Sequence, residues 1–307
     1  MKLQPHSGDG PATPSASAAD ERTADGPASV TKSRTSDVLP APAPDGRPRR
    51  RSVPDPVLGA AGVLIFAGVV EALPRLGLVS DRHLPPVSDM ARALAGEAGG
   101  SAFWTALTDT LQGWGIGLAI AVVAGTALGL LLGSVEVLRK ATASTIEFLR
   151  PIPSVALVPL AVLVYGTGLR STLLLVVYAS FWPVLLQVLS GVRDIDPVAR
   201  DTAASYRLSP LARLRYLLWP TTLPYFMTGL RLAASVALIL AVSAELIIGG
   251  SGLGSLIASA QAADAVPETY ALVAVTGLLG LCVNIVFRVL ERTLLSWHTS
   301  VRKEGTA

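Results

Sequence analysis

Residues 201–220 read DTAASYRLSPLARLRYLLWP, a run that holds Asp201, Arg207, Arg213 and Arg215 and lies between two long apolar stretches. A connection that only turned the chain around would need a handful of residues. The extra length has to serve another purpose, and its meaning depends on what surrounds it.

Composition describes those surroundings. The 307 residues are 51% hydrophobic and 15% charged, with a mean hydropathy of +0.53, outside the balance of a soluble domain. This composition predicts a membrane protein. The single cysteine, Cys282, lies inside an apolar run, so neither an intramolecular disulfide nor a cysteine metal cage is available. A net charge of +3 does not point to nucleic acid, because the basic residues stand at segment ends rather than on one face.

Residues 1–52 are dominated by Pro, Ala, Ser, Thr, Gly and Asp and carry almost no large apolar side chain, which predicts a disordered tail. It closes with RPRRRS (Arg47–Ser52). That cluster superficially resembles a twin-arginine export signal, but the following run carries Glu71 and Pro74 and leads into further membrane segments. Cationic residues holding the cytoplasmic end of a first span explain it better.

A spanning helix takes about 20 apolar residues, and the pattern predicts six: Val57–Val79, Leu107–Gly133, Thr142–Tyr165, Ser171–Val192, Thr222–Ile248 and Tyr270–Leu294. Ser88–Ala98 reads as a short surface helix. With the tail inside, the inward segments hold Arg47–Arg51, Arg139 with Lys140, the arginines from Arg193 to Arg215, and Arg292, Arg302 and Lys303. Outward loops hold only Arg82, Arg92 and Arg170. This asymmetry predicts a multi-pass inner-membrane protein with both termini cytoplasmic, and places the opening stretch in the cytoplasm.

Within the second span Gly117, Ala121, Gly125, Gly129 and Gly133 recur every four residues, a stripe suited to close helix packing. In the third, RPIPSVALVP (Arg150–Pro159) interrupts the helix with three prolines. Broken helices at membrane depth occur where protein or a water-filled cavity satisfies the freed backbone, so Arg150, Pro151 and Pro153 are candidates for a pathway lining, with a simple packing kink as the other reading. Charges inside spans are costly, which adds Arg231 and Glu245 as pathway candidates; Glu147 and Arg150, three apart, are placed to pair on one face. Structural pairing between helices explains these charges equally well. GGSGLGS (Gly249–Ser255) lacks the lysine of a phosphate loop and reads as a flexible external turn. His6, His83 and His298 are too dispersed to converge, and no nucleophile setting is present, which disfavours an intramembrane enzyme.

The opening stretch contains two helix starts. Asp196–Pro197 and Ser209–Pro210 each place a capping side chain before a proline at the first helical position. In the second helix Leu211, Leu214, Leu217 and Leu218 share a face, with Arg213 and Arg215 away from it. An amphipathic pair of this kind rests on its own bundle and offers a polar ridge to a soluble partner.

The segment resembles the cytoplasmic EAA loop of permease subunits of ATP-binding-cassette importers, whose pattern is Glu-Ala-Ala, three residues, Gly, nine residues, Ile-x-Leu-Pro. Asp201, Thr202 and Ala203 stand in its first three places, Arg207 in the glycine place, Leu217 in the isoleucine place and Pro220 in the final proline place. RPIPSVALVPLAVLVYGTG, FWPVLLQVLSGVRDIDP, LPYFMTGLRLAASVALILAVSAELI, GGSGLGSLI and ERTLLSW are similar, in order, to signatures of the sulfonate, nitrate and taurine branch. The resemblance implies an all-α membrane protein of type I importer permease fold. Its permease domain spans residues 53–307, with a coupling loop at 193–220. It also implies two such permeases forming the pore in the lipid bilayer, two cytosolic ATPase subunits that each grip a loop, and an extracytoplasmic solute-binding protein. The chain itself binds no cofactor, and ATP is used by the partner.

The residues implied in ATPase coupling are Asp201, Thr202, Ala203, Arg207, Leu208, Ser209 and Pro220. Two of the departures from the pattern carry a physical consequence. Asp201 is one methylene shorter than Glu, and Arg207 occupies a place where glycine permits a left-handed backbone, at a cost of about 1 kcal/mol for another residue. The solute implied is small and anionic, of the alkanesulfonate, taurine or nitrate class, with another small metabolite as the alternative. An ion-coupled secondary transporter is the rival of a different kind, but no internal repeat is visible.

Overall fold

A computed structural model describes residues 55–295. The tail, the RPRRRS cluster, His6, His298, Arg302 and Lys303 lie outside the described residues, and with them the expectation for the termini. All regular structure among the described residues is helical. Helix α1 covers Asp55–Arg75, α2 Val87–Ala98 and α3 Ser101–Ser134; α4 covers Glu136–Leu149 and, after a 3-10 turn at Ser154–Leu157, α5 covers Val158–Tyr165. Helix α6 runs Leu169–Arg193, α7 Pro197–Ser205, α8 Pro210–Arg213, α9 Trp219–Ile248, α10 Leu253–Ala262 and α11 Val266–Leu294. Four helical stretches are long and apolar enough to cross a bilayer, namely α3, α6, Pro210–Ile248 and α11, or five if the bent pair of α4 and Ser154–Tyr165 counts as one span. Helix α1 is not among them.

The third expected span is bent by 84° at the prolines that interrupt it in the sequence. Proline supplies the cause. The carbonyl of Leu149 would bond the amide of residue 153, but Pro153 has no N–H. That carbonyl accepts instead from the Ile152 amide at 3.2 Å and from the Tyr178 hydroxyl of α6 at 2.7 Å.

Helices α3, α6 and α9 form the centre, with Val176, Val184, Val188, Ala233, Ala237 and Ala241 fully buried. The glycine stripe of α3 meets a valine stripe of α6 at the same spacing. A Cβ added at Gly117 would fall 2.5 Å from Val176, at Gly125 3.0 Å from Val184, at Gly129 2.8 Å from Val188 and at Gly133 2.6 Å from Val192. The two backbones therefore approach as closely as a missing side chain allows. Trp114 Nε1 donates to the Ala234 carbonyl at 2.9 Å and fastens α3 to α9.

At the opposite end of α9 from the charged loop, Glu245 is 4% exposed. Its Oε2 accepts from Thr110 Oγ1 of α3 at 2.8 Å and from the Gly254 amide of α10 at 3.1 Å. Thr110 Oγ1 in turn accepts from the Leu253 amide at 2.8 Å. Two of the amides that open α10, which lack intrahelical partners, are thus satisfied by side chains of α3 and α9. Gly249 and Gly252 take φ of +79° and +112°, and a Cβ at Gly252 would lie 2.3 Å from the Glu245 carboxyl carbon. The GGSGLGS segment is accordingly not a flexible external turn: Gly252, Leu253 and Gly254 are buried, and the glycines admit the carboxylate.

Gly129→Ala is expected to lower thermal stability of the purified protein by the equivalent of about 1–3 kcal/mol, since neither Val188 Cβ nor the backbone can yield cheaply. Gly277→Ala, which meets nothing within 4 Å, should leave it unchanged or slightly higher. Glu245→Ala should cost about 1–3 kcal/mol by stranding Thr110 and the Gly254 amide, with Glu245→Gln costing less. Melting curves in one detergent check all four variants.

Candidate functional site

The charged loop is built by local capping. Asp196 accepts from the Val198 amide at 2.8 Å and starts α7, and Ser209 accepts from the Ala212 amide at 3.3 Å and starts α8. Between them α7 ends by reverse bonds: the Arg207 amide donates to the Ala204 carbonyl at 2.9 Å and the Leu208 amide to the Ala203 carbonyl at 3.1 Å. This closing pattern places one residue in the left-handed region, and that residue is Arg207, at φ +48°. The arginine at the pattern's glycine place thus adopts the glycine conformation, and the turn is not reshaped to avoid it.

Helix α8 does not stop before the membrane helix. It passes through one π-helical turn, Leu214–Leu218, directly into α9, so Pro210–Ile248 is one helix of 39 residues. Pro220 lies just beyond that turn and lacks the N–H that the Tyr216 carbonyl would take in an α-helix. The loop is also tied to the bundle: Tyr225 of α9 donates its hydroxyl to Asp194 at 2.6 Å, and Arg200 donates to the Val192 carbonyl at 3.4 Å.

Asp201, Thr202, Arg207, Ser209 and Pro210 are exposed, Leu208 and Pro220 are half-buried, and Ala203 is buried against the bundle. Asp201 forms no ion pair among the described residues. Exposed around them are Val198, Tyr206, Leu211 and Tyr216. Two side chains differ from the expected amphipathic arrangement. Leu211 is 75% exposed, whereas Arg213 is half-buried and shares a small cavity of about 130 Å³ with Arg200, Leu217 and Leu218. Arg213 and Leu217 are four apart and so share a face, which turns Arg213 toward the bundle and Leu211 away from it.

The intramembrane candidates separate into two groups. Arg150 and Pro151 line a cavity of about 570 Å³ between α4 and α6, together with Arg139, Glu147 and Arg193. Glu147 and Arg150 do not pair, and none of the three arginines has a carboxylate partner among the described residues. Pro153 stands just before the 3-10 turn. A second cavity, about 720 Å³, continues along α6 past Trp182, Phe181 and Tyr165 to Arg170. Arg231, by contrast, pairs with Glu291 of α11 at 3.2 Å, and Glu245 is enclosed as described. Arg139, Glu147 and Arg193 were not singled out from the sequence as parts of one groove. The signal was there: Arg139, Ala143, Glu147 and Arg150 repeat at helical spacing, as do Leu186, Leu189 and Arg193.

Comparison with known proteins places this geometry. Residues 94–296 match the family described as binding-protein-dependent transport system inner membrane component. The chain is 32% identical over 232 residues to the taurine transport system permease protein TauC of Escherichia coli (strain K12), covering 74% of this chain and 84% of that one. It is 29% identical over 182 residues to the nitrate import permease protein NrtB of Leptolyngbya laminosa, covering 59% and 65% respectively. Its fold resembles a chain of the inward-facing MetNI methionine ABC transporter, with a TM-score of 0.54 and 16% identity over 62% of this chain and 96% of that one. The chain belongs to the binding-protein-dependent transport system inner membrane component family.

Proposed function

We propose that this chain is the permease subunit of an ATP-driven importer for a small anionic solute, and that residues 193–220 are the handle on which a cytosolic ATPase acts. The observation that carries the reading is the loop itself. It is capped at both ends, closed by a left-handed turn at Arg207, and continuous with a helix that runs to the far end of the bundle. Asp201, Thr202, Leu208 and Ser209 form the contact, Arg207 holds the left-handed turn that presents them, and Ala203 and Pro220 fix the loop against the bundle and to α9. Displacement of the loop tilts α9, and a bundle packed this closely responds as a body rather than by local yielding.

The working assembly in this reading has two permease copies, two ATPases and an extracytoplasmic binding protein, with the loop and both termini in the cytoplasm. Helix α1 supplies a sixth span. Its Val63, Leu64, Ile65 and Phe66 are 67–71% exposed in succession, an all-round apolar surface that lipid would cover. The solute path follows the α4–α6 groove, with Arg150 and Pro151 on its wall and Pro153 at its bend, whereas Arg231 and Glu245 brace the helices beside it. ATP is consumed by the partner, and the relatives that match over most of this chain are named as permeases.

Affinity purification of the tagged full chain from membranes, co-expressed with the ATPase encoded beside it, tests the assignment. The ATPase is expected to be retained. Arg207→Gly should retain it equally and gain up to about 1 kcal/mol in stability, because glycine removes the left-handed strain. Arg207→Val should weaken retention, since a β-branched residue at this φ costs more. Failure of the unsubstituted chain to retain an ATPase would contradict the assignment.

A further inference from the structure

The small cavity under the charged loop brings two arginines together. Arg200 of α7 and Arg213 of α8 share its volume of about 130 Å³, that of a sphere about 6 Å across. Both guanidiniums therefore lie within reach of one tetrahedral oxyanion, whose charge-assisted hydrogen bonds run at about 2.8 Å. The walls include Gly133 and Ser134 at the end of α3, Val192 near the end of α6, and Leu217 with Leu218. Arg213 Nε is shut off from solvent and donates to nothing among the described residues, and Arg200 gives one donor to the Val192 carbonyl at 3.4 Å. Neither arginine has a carboxylate partner among the described residues. Of the loop's acids, Asp194 accepts from the Tyr225 hydroxyl and Asp196 from the Val198 amide, and neither they nor Asp201 line the cavity. A buried cationic donor without an acceptor carries the full cost of its desolvation. The apolar walls hold water off and so strengthen its pull on an anion.

We infer that this cavity binds a phosphate group between Arg200 and Arg213, and that the bound anion ties the loop to the bundle. Guanidinium offers a planar fork of donors that matches a phosphate and stays charged at any working pH. Bridging the two arginines joins α7 to α8 across the turn at Arg207 and holds both against the end of α3. The anion is resident rather than carried, because the cavity has no way through: at Gly133 a Cβ would fall 2.6 Å from Val192, so the helices behind it are in contact. Tyr216 and Trp219 flank Leu217 and Leu218 in the chain and are exposed, as aromatic side chains are at the depth of lipid headgroups. The phosphate can accordingly belong to an anionic lipid or come free from the aqueous side. The inference does not depend on the importer reading, since it concerns the chain alone.

The test is thermal unfolding of the full chain in dodecyl maltoside, a detergent without phosphate, followed by tryptophan fluorescence. In one arm inorganic phosphate replaces chloride at equal ionic strength, and in the other phosphatidylglycerol is added. In at least one arm the midpoint should rise and saturate, by about 3 °C at a tenfold excess over the dissociation constant. Arg213→Gln should abolish that rise, and Arg213→Lys should keep part of it, because a point charge replaces the fork. Arg215→Gln removes the same charge from an exposed neighbour outside the cavity and should leave the rise intact. If Arg213→Gln does not fold, Arg200→Gln, at an exposed position, decides the same question. A rise confined to the lipid arm assigns a headgroup, one confined to the other arm assigns the free anion, and a rise in both assigns the phosphate they share. No rise in either arm, or a rise that survives the glutamine variants, overturns the inference and leaves the arginines as caps on the helix ends.

Discussion

The helix from Pro210 to Ile248 is the constraint on which the rest depends. Its 39 residues amount to about 58 Å of continuous hydrogen-bonded rod. One end grows out of the Ser209 cap in the charged loop, and the other carries Glu245 into a buried cluster with Thr110 and the first amides of α10. Pro220 and Pro224 each remove one backbone donor near its loop end, and the helix runs on unbroken to that cluster. The π-helical turn at Leu214–Leu218 re-aims the rod without cutting it.

Around this rod the helices meet in two different ways. The α3–α6 seam is set by missing side chains, glycine against valine at four levels, and cannot slide without a clash. The α4–α5 segment, in contrast, is bent at prolines and held by the Tyr178 hydroxyl on the Leu149 carbonyl, by the Ser171 hydroxyl on the Ala161 carbonyl at 3.0 Å, and by burial of Val158 and Ala161 in the core. The α4–α6 groove runs beside this bend, and its three arginines form no ion pair among the described residues. The polar cost of the bend arises from backbone groups that proline has released.

Much of this was legible in the sequence because each feature obeys a local rule. The caps at Asp196 and Ser209, the proline break after Arg150 and the glycine stripe of α3 depend on residues within a turn or two of one another. The left-handed place at Arg207 could be read from the glycine position of the motif, and the arginine that fills it accepts the strain. What escaped were the features that need distant partners. Glu245 read equally as a pathway charge or a structural pair because Thr110, which holds it, is 135 positions away, and GGSGLGS looked like a flexible turn because nothing local shows a carboxylate occupying the space of absent side chains. Arg139 and Arg193 were read as topology signals, since charge at the end of a span looks the same whether it faces headgroups or a groove. Arg213 faces inward through its pairing of faces with Leu217, which an assignment by polarity alone gets backwards.

The central claim is that ATP-driven motion enters through the loop. Its most direct test is site-specific crosslinking in cells that are importing the solute, with Ser209→Cys in a Cys282→Ser background and a short bifunctional reagent. A crosslink to a nucleotide-hydrolysing subunit, accompanied by arrest of uptake, is the result the account predicts. Sustained uptake from cells in which no such crosslink ever forms at Ser209 would contradict it.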